Sequence, residues 1–352
     1  LVLAKPILRR DWLQACLLAA SLSGVSACFS PQIQEGLVCS ETQSCPGGQP
    51  CTIGVCRSAR FGPDARIPDG LPDSNAGCIG STTFSFVDRI ENFTAPSCAT
   101  IVTIEAFGAQ GGGTISDPGA GGKGARIRAD FLPSPGAVFR ILVGEKGEAG
   151  SPGVDFSQGG GTGGGGSFVV DESNAPMLVA GGGGGATEGN SVQRGGPGQV
   201  TLDAQNGGGD GAGIAGFVSG TNDIDGGDSY TAEFLGYHGG TGGGGFFTDG
   251  FYDSVGATSF GTKNTPGQSF LNGGDGGRGG SLGRNGGYGG GGAAGFTGGG
   301  GGGYTGGGAG GPGTDATLHG GGGGGSISSG TNPDSSPGVN SGDGKVIFSW
   351  RK

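Results

Sequence analysis

The densest set of oxygen ligands in the sequence is N-D-I-D-G-G-D at 222–228, where Asp223, Asp225 and Asp228 could face a calcium ion. A calcium-binding hand also needs its fifth, sixth and twelfth positions, and this loop misses all three. We expect an acidic, solvated turn and keep these three residues as the sole metal candidate. His238 and His319 are each followed by Gly, with no Cys or second His nearby, so no zinc site is expected of them. Gly279-Gly280-Ser281-Leu282-Gly283 fits the hydrolase pattern G-x-S-x-G. The flanking glycines oppose the strand-to-helix elbow that such a nucleophile requires, and a turn is expected instead. Matches to G-x-G-x-x-G carry no information in a chain with 94 Gly. The sequence thus offers no catalytic residue and no cofactor site, and the expectation is a chain that is not an enzyme.

Cysteine is the remaining reactive type. Cys39, Cys45, Cys51 and Cys56 form a cluster spaced C-x5-C-x5-C-x4-C, and Cys78 and Cys98 flank a separate stretch. Zinc would call for tighter C-x-x-C pairs and a reducing compartment. We expect the first four to pair among themselves in a small disulfide knob at 28–56, with connectivity open, and Cys78 to pair with Cys98. Export is consistent with the first 27 residues. Lys5, Arg9 and Arg10 precede an apolar stretch from Trp12 to Leu22, and small residues lead to Cys28. That apolar run is far short of the ~20 residues that span a bilayer. Val25-Ser26-Ala27-Cys28 resembles the lipobox of bacterial lipoproteins, which implies a lipid on Cys28 and a lipid anchor to the membrane. An ordinary signal peptide with a coincidental Cys is the competing reading, and Arg9-Arg10 leaves the export route open. Removing 1–27 takes three basic residues and one acidic residue from 19 and 29, so the net charge moves from −10 to −12. Such an acidic chain is not expected to bind nucleic acid.

One region could recognise a partner. Between Arg194 and Lys263 there is no Lys or Arg, but there are eight acids, Asp203, Asp210, Asp223, Asp225, Asp228, Glu233, Asp249 and Asp253. Phe217, Tyr230, Phe234, Tyr237, Phe246, Phe247, Phe251 and Tyr252 are interleaved with them. Aromatics supply contact area and carboxylates supply steering, so Asp249, Phe251, Tyr252 and Asp253 form a candidate surface for a basic or carbohydrate-bearing partner. The bland alternative is that these rings plug an internal junction while the acids solvate loops.

The elements that must position these residues follow from composition and period. With 94 Gly and 18 Pro in 352 residues, a helical protein is excluded, because Gly costs roughly 0.8–1.0 kcal/mol per helical position against Ala. Collagen is excluded by the all-Gly runs. Spaced Pro, Asp and Gly at 57–77 read as a semi-extended linker. Alternating apolar and polar residues predict strands at 125–131, 138–143 and 346–351, with further candidates at 82–87, 100–107, 167–170, 177–180 and 199–202. Their number and spacing predict an all-β sandwich whose last strand returns from far along the chain. Strands are expected mainly at 82–204 and 344–351. From about 206 to 340 glycine takes over, with unbroken runs at 298–303 and 320–325, and another at 181–185. Two states are open to these runs. They could be flexible linkers, or extended helices of three residues per turn packed side by side, each bonding its neighbours' backbones.

Several pieces resemble, in order, the extracellular glycine-rich domain of the anaplastic lymphoma kinase and leukocyte tyrosine kinase receptor family. They are I-E-A-F-G-A-Q-G-G at 104–112, G-G-K-G-A at 121–125, F-R-I-L-V-G-E-K-G-E at 139–148, the run into S-F-V at 163–169, P-M-L-V-A at 176–180, G-Y-G-G at 287–290, G-Y-T-G-G at 303–307 and G-K-V-I-F at 344–348. The similarity covers about 78–352. It implies a tumour-necrosis-factor-like β-sandwich carrying an inserted hexagonal bundle of polyglycine helices, which selects the ordered state for the runs. The receptors' further cysteines are absent between Cys98 and Lys352, so ligand recognition does not carry over residue by residue. The kinase half has no counterpart: H-R-D and V-A-I-K are missing, and the nearest approach to D-F-G is Asp155-Phe156-Ser157. The expectation is a non-enzymatic, lipid-anchored protein of the outer membrane or cell surface of a two-membrane bacterium. It would display a glycine-rich module that binds an extracellular protein or carbohydrate. A structural envelope spacer is the alternative. Ice binding is a distant third, because the interruptions at Thr162, Thr241, Phe296 and Tyr304 are irregular.

Overall fold

The computed structural model describes residues 51–52, 55–56, 78–150, 159–189, 191–209, 212–216, 226–229, 239–251, 263–280, 283–313 and 317–352. The chain divides into two units, Leu1–Leu71 and Pro72–Lys352. The described part of the first is a small hairpin of β1 (Cys51–Thr52) and β2 (Val55–Cys56), in which Cys51 lies opposite Cys56.

The second unit contributes β3 (Gly80–Ser85), β4 (Glu91–Thr94), β5 (Ile101–Phe107), β6 (Gly124–Phe131), β7 (Val138–Leu142), β8 (Ser167–Asp171), β9 (Pro176–Ala180), β10 (Thr187–Glu188), β11 (Val192–Gln193), β12 (Ile327–Ser328), β13 (Thr331–Asn340) and β14 (Lys345–Arg351). β10 and β11 form a minimal hairpin. The others build two five-stranded antiparallel sheets, in the orders β12-β9-β8-β7-β4 and β13-β6-β5-β14-β3. The last strand lies between β5 and β3, so the C-terminal end closes the sheet that the first strands began.

Alternation sets the core. Val102, Ile104 and Ala106 of β5 and Val346 and Phe348 of β14 point between the sheets. They meet Phe139 and Ile141 of β7, Val169 of β8 and Leu178 of β9. The sheet containing β8 is covered on its other face as well. There Leu142, Phe168, Val170 and Val179 pack against Phe246, Phe270 and Tyr288, which come from the glycine-rich part of the chain. Burial on both faces explains why β8 reads as an unbroken apolar run. Cys78 is joined to Cys98 by a disulfide, as expected.

The glycine runs are ordered, and their hydrogen bonds state the geometry. In the run 298–303, the N–H groups of Gly298 and Gly301 donate to His319 and Gly322, those of Gly299 and Gly302 to Gly161 and Gly164, and those of Gly300 and Gly303 to Thr241 and Gly244. Every third residue reaches the same neighbouring run, and three successive residues reach three different ones. The carbonyls repeat the pattern: Gly298 and Gly301 accept from Gly310 and Gly307, Gly299 and Gly302 from Gly185 and Gly182, and Gly300 from Gly292. One run therefore bonds six neighbours. The run 181–185 does the same, donating to Gly302 and Gly299, to Ala109 and to Gly196, and accepting from Gly324 and Gly321, from Gly164 and from Gly122 and Ala125. A three-residue screw with donors in three directions and acceptors in three others is a hexagonal bundle of polyproline-II-like helices. It satisfies every direction of the backbone without a side chain.

Three expectations about extent are corrected. The bundle is not confined mainly to 206–340. Glycines at 108–113, 121–124, 144–147, 160–166 and 195–198 belong to it equally, because strands run straight into glycine runs at Phe107–Gly108, Leu142–Gly144 and Ala180–Gly181. Conversely 331–340 is a sandwich strand, β13, and β4 and β12 were also not foreseen. The segment 199–202 is not a strand. Its backbone bonds the bundle instead, the Gln199 N–H donating to Gly324 and the Ser326 N–H to Thr201.

Candidate functional site

Buried threonines finish the bundle where a glycine neighbour is missing. Thr162 Oγ1 accepts the Glu148 N–H (2.8 Å), Thr297 Oγ1 accepts the Gly240 N–H (2.8 Å) and Thr241 Oγ1 accepts the Ala293 N–H (2.9 Å). Thr305 Oγ1 donates to the Leu202 carbonyl (2.5 Å). These hydroxyls are internal fittings, because each buried side chain spends itself on a backbone group of a neighbouring segment.

Glu145 joins the sandwich to the bundle. Its N–H donates to the Tyr288 carbonyl (2.8 Å), and its Oε2 accepts the Tyr288 N–H (3.1 Å). Burial pushes the Glu145 carboxyl above its ordinary range, with Asp343, Asp88 and Glu148 adding to the effect. Burial likewise raises the Tyr288 hydroxyl to about 12.

The acidic and aromatic region splits into a buried and an exposed part. Phe246 is fully buried and stacks on Phe270 at 5.1 Å, while Phe270 lies 5.2 Å from Phe168 of β8. These rings are the plug between sheet and bundle. Above the plug the next residues face outward. Phe247, 48% exposed, stands edge-on to Phe246 (4.8 Å) and to Tyr304 (6.3 Å). Phe251 is 44% exposed and Leu271 47%. The Leu271 N–H donates to the Phe246 carbonyl (3.2 Å), which places Leu271 beside the same corner.

Asp249 holds this corner from within. Its Oδ1 accepts the Ser269 N–H (2.7 Å) and an Asn272 side-chain N–H (2.9 Å), clamping both ends of the 3-10 turn Phe270–Asn272. It therefore positions the plug, and that carboxylate oxygen is already engaged. Of the other candidate partner residues, Phe251 is on the exposed surface, and Tyr252 and Asp253 lie outside the described residues. Sequence reasoning missed Phe270 and Leu271. A signal existed in Ser269, which accepts from the Asn272 N–H as a cap, and in Gly273, which ends the turn at φ 108°.

The remaining candidates are placed as follows. Asp228 is built into the bundle: its N–H donates to Ile214, its carbonyl accepts from Ala309, and its Oδ1 accepts the Ser229 N–H (2.8 Å). Asp223, Asp225, His238 and Ser281 lie outside the described residues, as do Cys28, Cys39 and Cys45. His319 contributes its backbone to the bundle and pairs its ring with Thr317 Oγ1 (3.1 Å). Among the described residues no group of three or more His, Cys, Asp or Glu could hold a metal ion. No described helix is long and apolar enough to cross a membrane. No known protein family matches the chain, and no curated protein does.

Proposed function

We propose that the chain is a non-enzymatic, lipid-anchored envelope protein of a two-membrane bacterium, displaying a rigid glycine-rich module for binding or adhesion. In this reading the module is of the kind found in the anaplastic lymphoma kinase and leukocyte tyrosine kinase receptors, without their kinase. Support comes from one observation above others: a corner carrying exposed Phe247 and Leu271, seated on a buried ring stack, with exposed Phe251 four residues further along the same segment. Rigid aromatics lose little entropy on contact and concentrate binding energy. The partner is an extracellular protein or carbohydrate presenting an apolar or sugar-ring face to these side chains.

The test is adhesion of displaying cells to neighbouring cells and matrix, wild type against Phe247→Ser with Phe251→Ser. Adhesion should fall with surface amount unchanged and cooperative melting retained. Unaltered adhesion would remove this corner from the binding surface. In the same cells Cys28→Ser should move the protein from the membrane to the soluble fraction; continued membrane retention would contradict lipid anchorage.

A further inference from the structure

The two sheets leave four edge strands, and three of them are blunted. β12 has two residues. β4 has four and carries Glu91, paired with Arg89. β13 is long but contains Pro333 and Pro337, two register shifts against β6, and positive φ at Asn332 and Gly338. Short length, charge, proline and bulges are the usual means by which an edge is kept from pairing with another chain.

β3 has none of them. It runs six residues, G-S-T-T-F-S, in unbroken register with β14 from Lys345↔Ser85 to Trp350↔Gly80, without Pro, charge or bulge. Its outward residues Ser81, Thr83 and Ser85 are exposed. Its inward Phe84 is only partly buried, whereas Phe348 of the neighbouring strand is fully buried. The same open side shows two more partly buried rings, Phe93 and Trp350, 5.5 Å apart.

We propose that β3 pairs antiparallel with β3 of a second copy, joining two five-stranded sheets into one of ten strands. The choice of a second copy rests on self-complementarity. About a twofold axis through Thr83, Thr83 faces Thr83 and Ser81 faces Ser85, so two chains of net charge −10 meet here without like charges opposed. Thr–Thr cross-strand pairs are favourable. Antiparallel pairing also makes the incoming chains, which reach β3 through Cys78, arrive from opposite ends of the joined strands. That geometry suits copies anchored on opposing cells, and only this last consequence rests on the proposed envelope display.

The experiment is sedimentation equilibrium of the full chain carrying Cys28→Ser. The expected result is a concentration-dependent dimer that tightens with added salt, which screens the net charge of the two copies. Adding Thr83→Lys, or adding Thr83→Glu, should weaken self-association by about tenfold or more, while an equimolar mixture of the two restores it. Equal melting temperatures in dilute, monomeric samples show that the fold is retained. Should position 83 not tolerate charge, Ser81→Lys with Ser85→Glu should dimerise, and Ser81→Lys with Ser85→Lys should not. A monomer at every concentration, or a dimer indifferent to these changes, overturns the pairing. Cells displaying the protein should then clump with the wild type and not with Thr83→Lys. Dimers in solution without clumping would refute adhesion by display and leave the pairing standing.

Discussion

In β5 of the sandwich, Val102, Ile104 and Ala106 bury their side chains while the backbone bonds the two adjacent strands, β6 and β14. In the run 298–303 there are no side chains, and the backbone bonds six neighbouring runs. Both regions remove polar backbone from water and satisfy it, but they use the space between chains in opposite ways. The sandwich fills it with apolar atoms, so its stability scales with side-chain area removed from water. The bundle leaves no such space, so its stability depends on the absence of atoms. The two regions should therefore fail under opposite substitutions.

The largest effect is expected from adding atoms to the bundle. A Cβ at Gly301 would overlap the Gly182 carbonyl, 2.8 Å from its carbon, and one at Gly323 would overlap the Pro197 carbonyl and lie 2.7 Å from the Gly198 nitrogen. Backbone on every side cannot yield as a side chain can. Gly301→Val or Gly323→Val should cost more than about 5 kcal/mol, beyond the ordinary range of single substitutions, and prevent cooperative melting. Gly189→Ala is the matched control, because its new Cβ would meet only Leu318 at 3.7 Å. It should stay within about 0.5 kcal/mol of wild type in a denaturant titration. Equal tolerance at all three positions would dissolve the contrast between the regions.

Removing atoms should hurt the sandwich next. Phe348→Ala, between Phe84, Phe93 and Phe139, and Phe246→Ala, in the plug, should each cost about 3–5 kcal/mol by calorimetry. Asp249→Ala, which strips two hydrogen bonds from the turn that carries Phe270, should cost about 1–3 kcal/mol. Phe251→Ala should cost less than any of these, about 1 kcal/mol or below, since its ring is 44% exposed.

The smallest expected effect is a difference in pH response. Asp171, at the β8–β9 turn, is held below the usual carboxylate range by the Ser173 hydroxyl and by the Ala175 and Ser173 N–H groups. Its contribution is present above the ordinary carboxylate pKa and is lost as pH falls through the lowered one. Glu145, at the junction with the bundle, is raised by burial. Its contribution is full at acid pH and is lost as pH rises through the raised value. Melting followed against pH should show Asp171→Asn flattening the acid-side loss, and Glu145→Gln flattening a loss on the way to neutral pH. Parallel pH curves for the two variants would contradict these opposed environments.

The sandwich was legible because strands with one buried face write it as alternation. Alanine and isoleucine of β6 and the V-I-F-S-W-R tail of β14 were found in this way within a residue or two. β13 was not, because T-N-P-D-S-S-P-G-V-N packs almost nothing and falls in with the glycine-rich stretch 206–340; only its pairing with β6 makes it a strand. The segment 199–202 erred in the other direction, its bent backbone bonding the glycine-rich part of the chain in place of a ladder. The glycine runs themselves are ambiguous by physics, since a residue without a side chain leaves no pattern of faces to read. The roles of Thr162 and Thr241 were hidden for the same reason, appearing as interruptions where they bond the ends of the lattice. At the candidate corner, the aromatics were legible as a group. Which ones plug and which ones display was not, because adjacent Phe246 and Phe247 differ only in the direction the chain turns them.

Native-state hydrogen exchange on residue-resolved glycine amides tests the ordered, side-chain-free bundle most directly. Gly182, Gly184, Gly299 and Gly301 each donate a backbone bond of 2.8–3.1 Å to another run. Their exchange should be as slow as that of Ile104 and Val346 in the sandwich, proceeding only through global unfolding. Exchange of these glycines at random-coil rates, with the sandwich amides still protected, would contradict it.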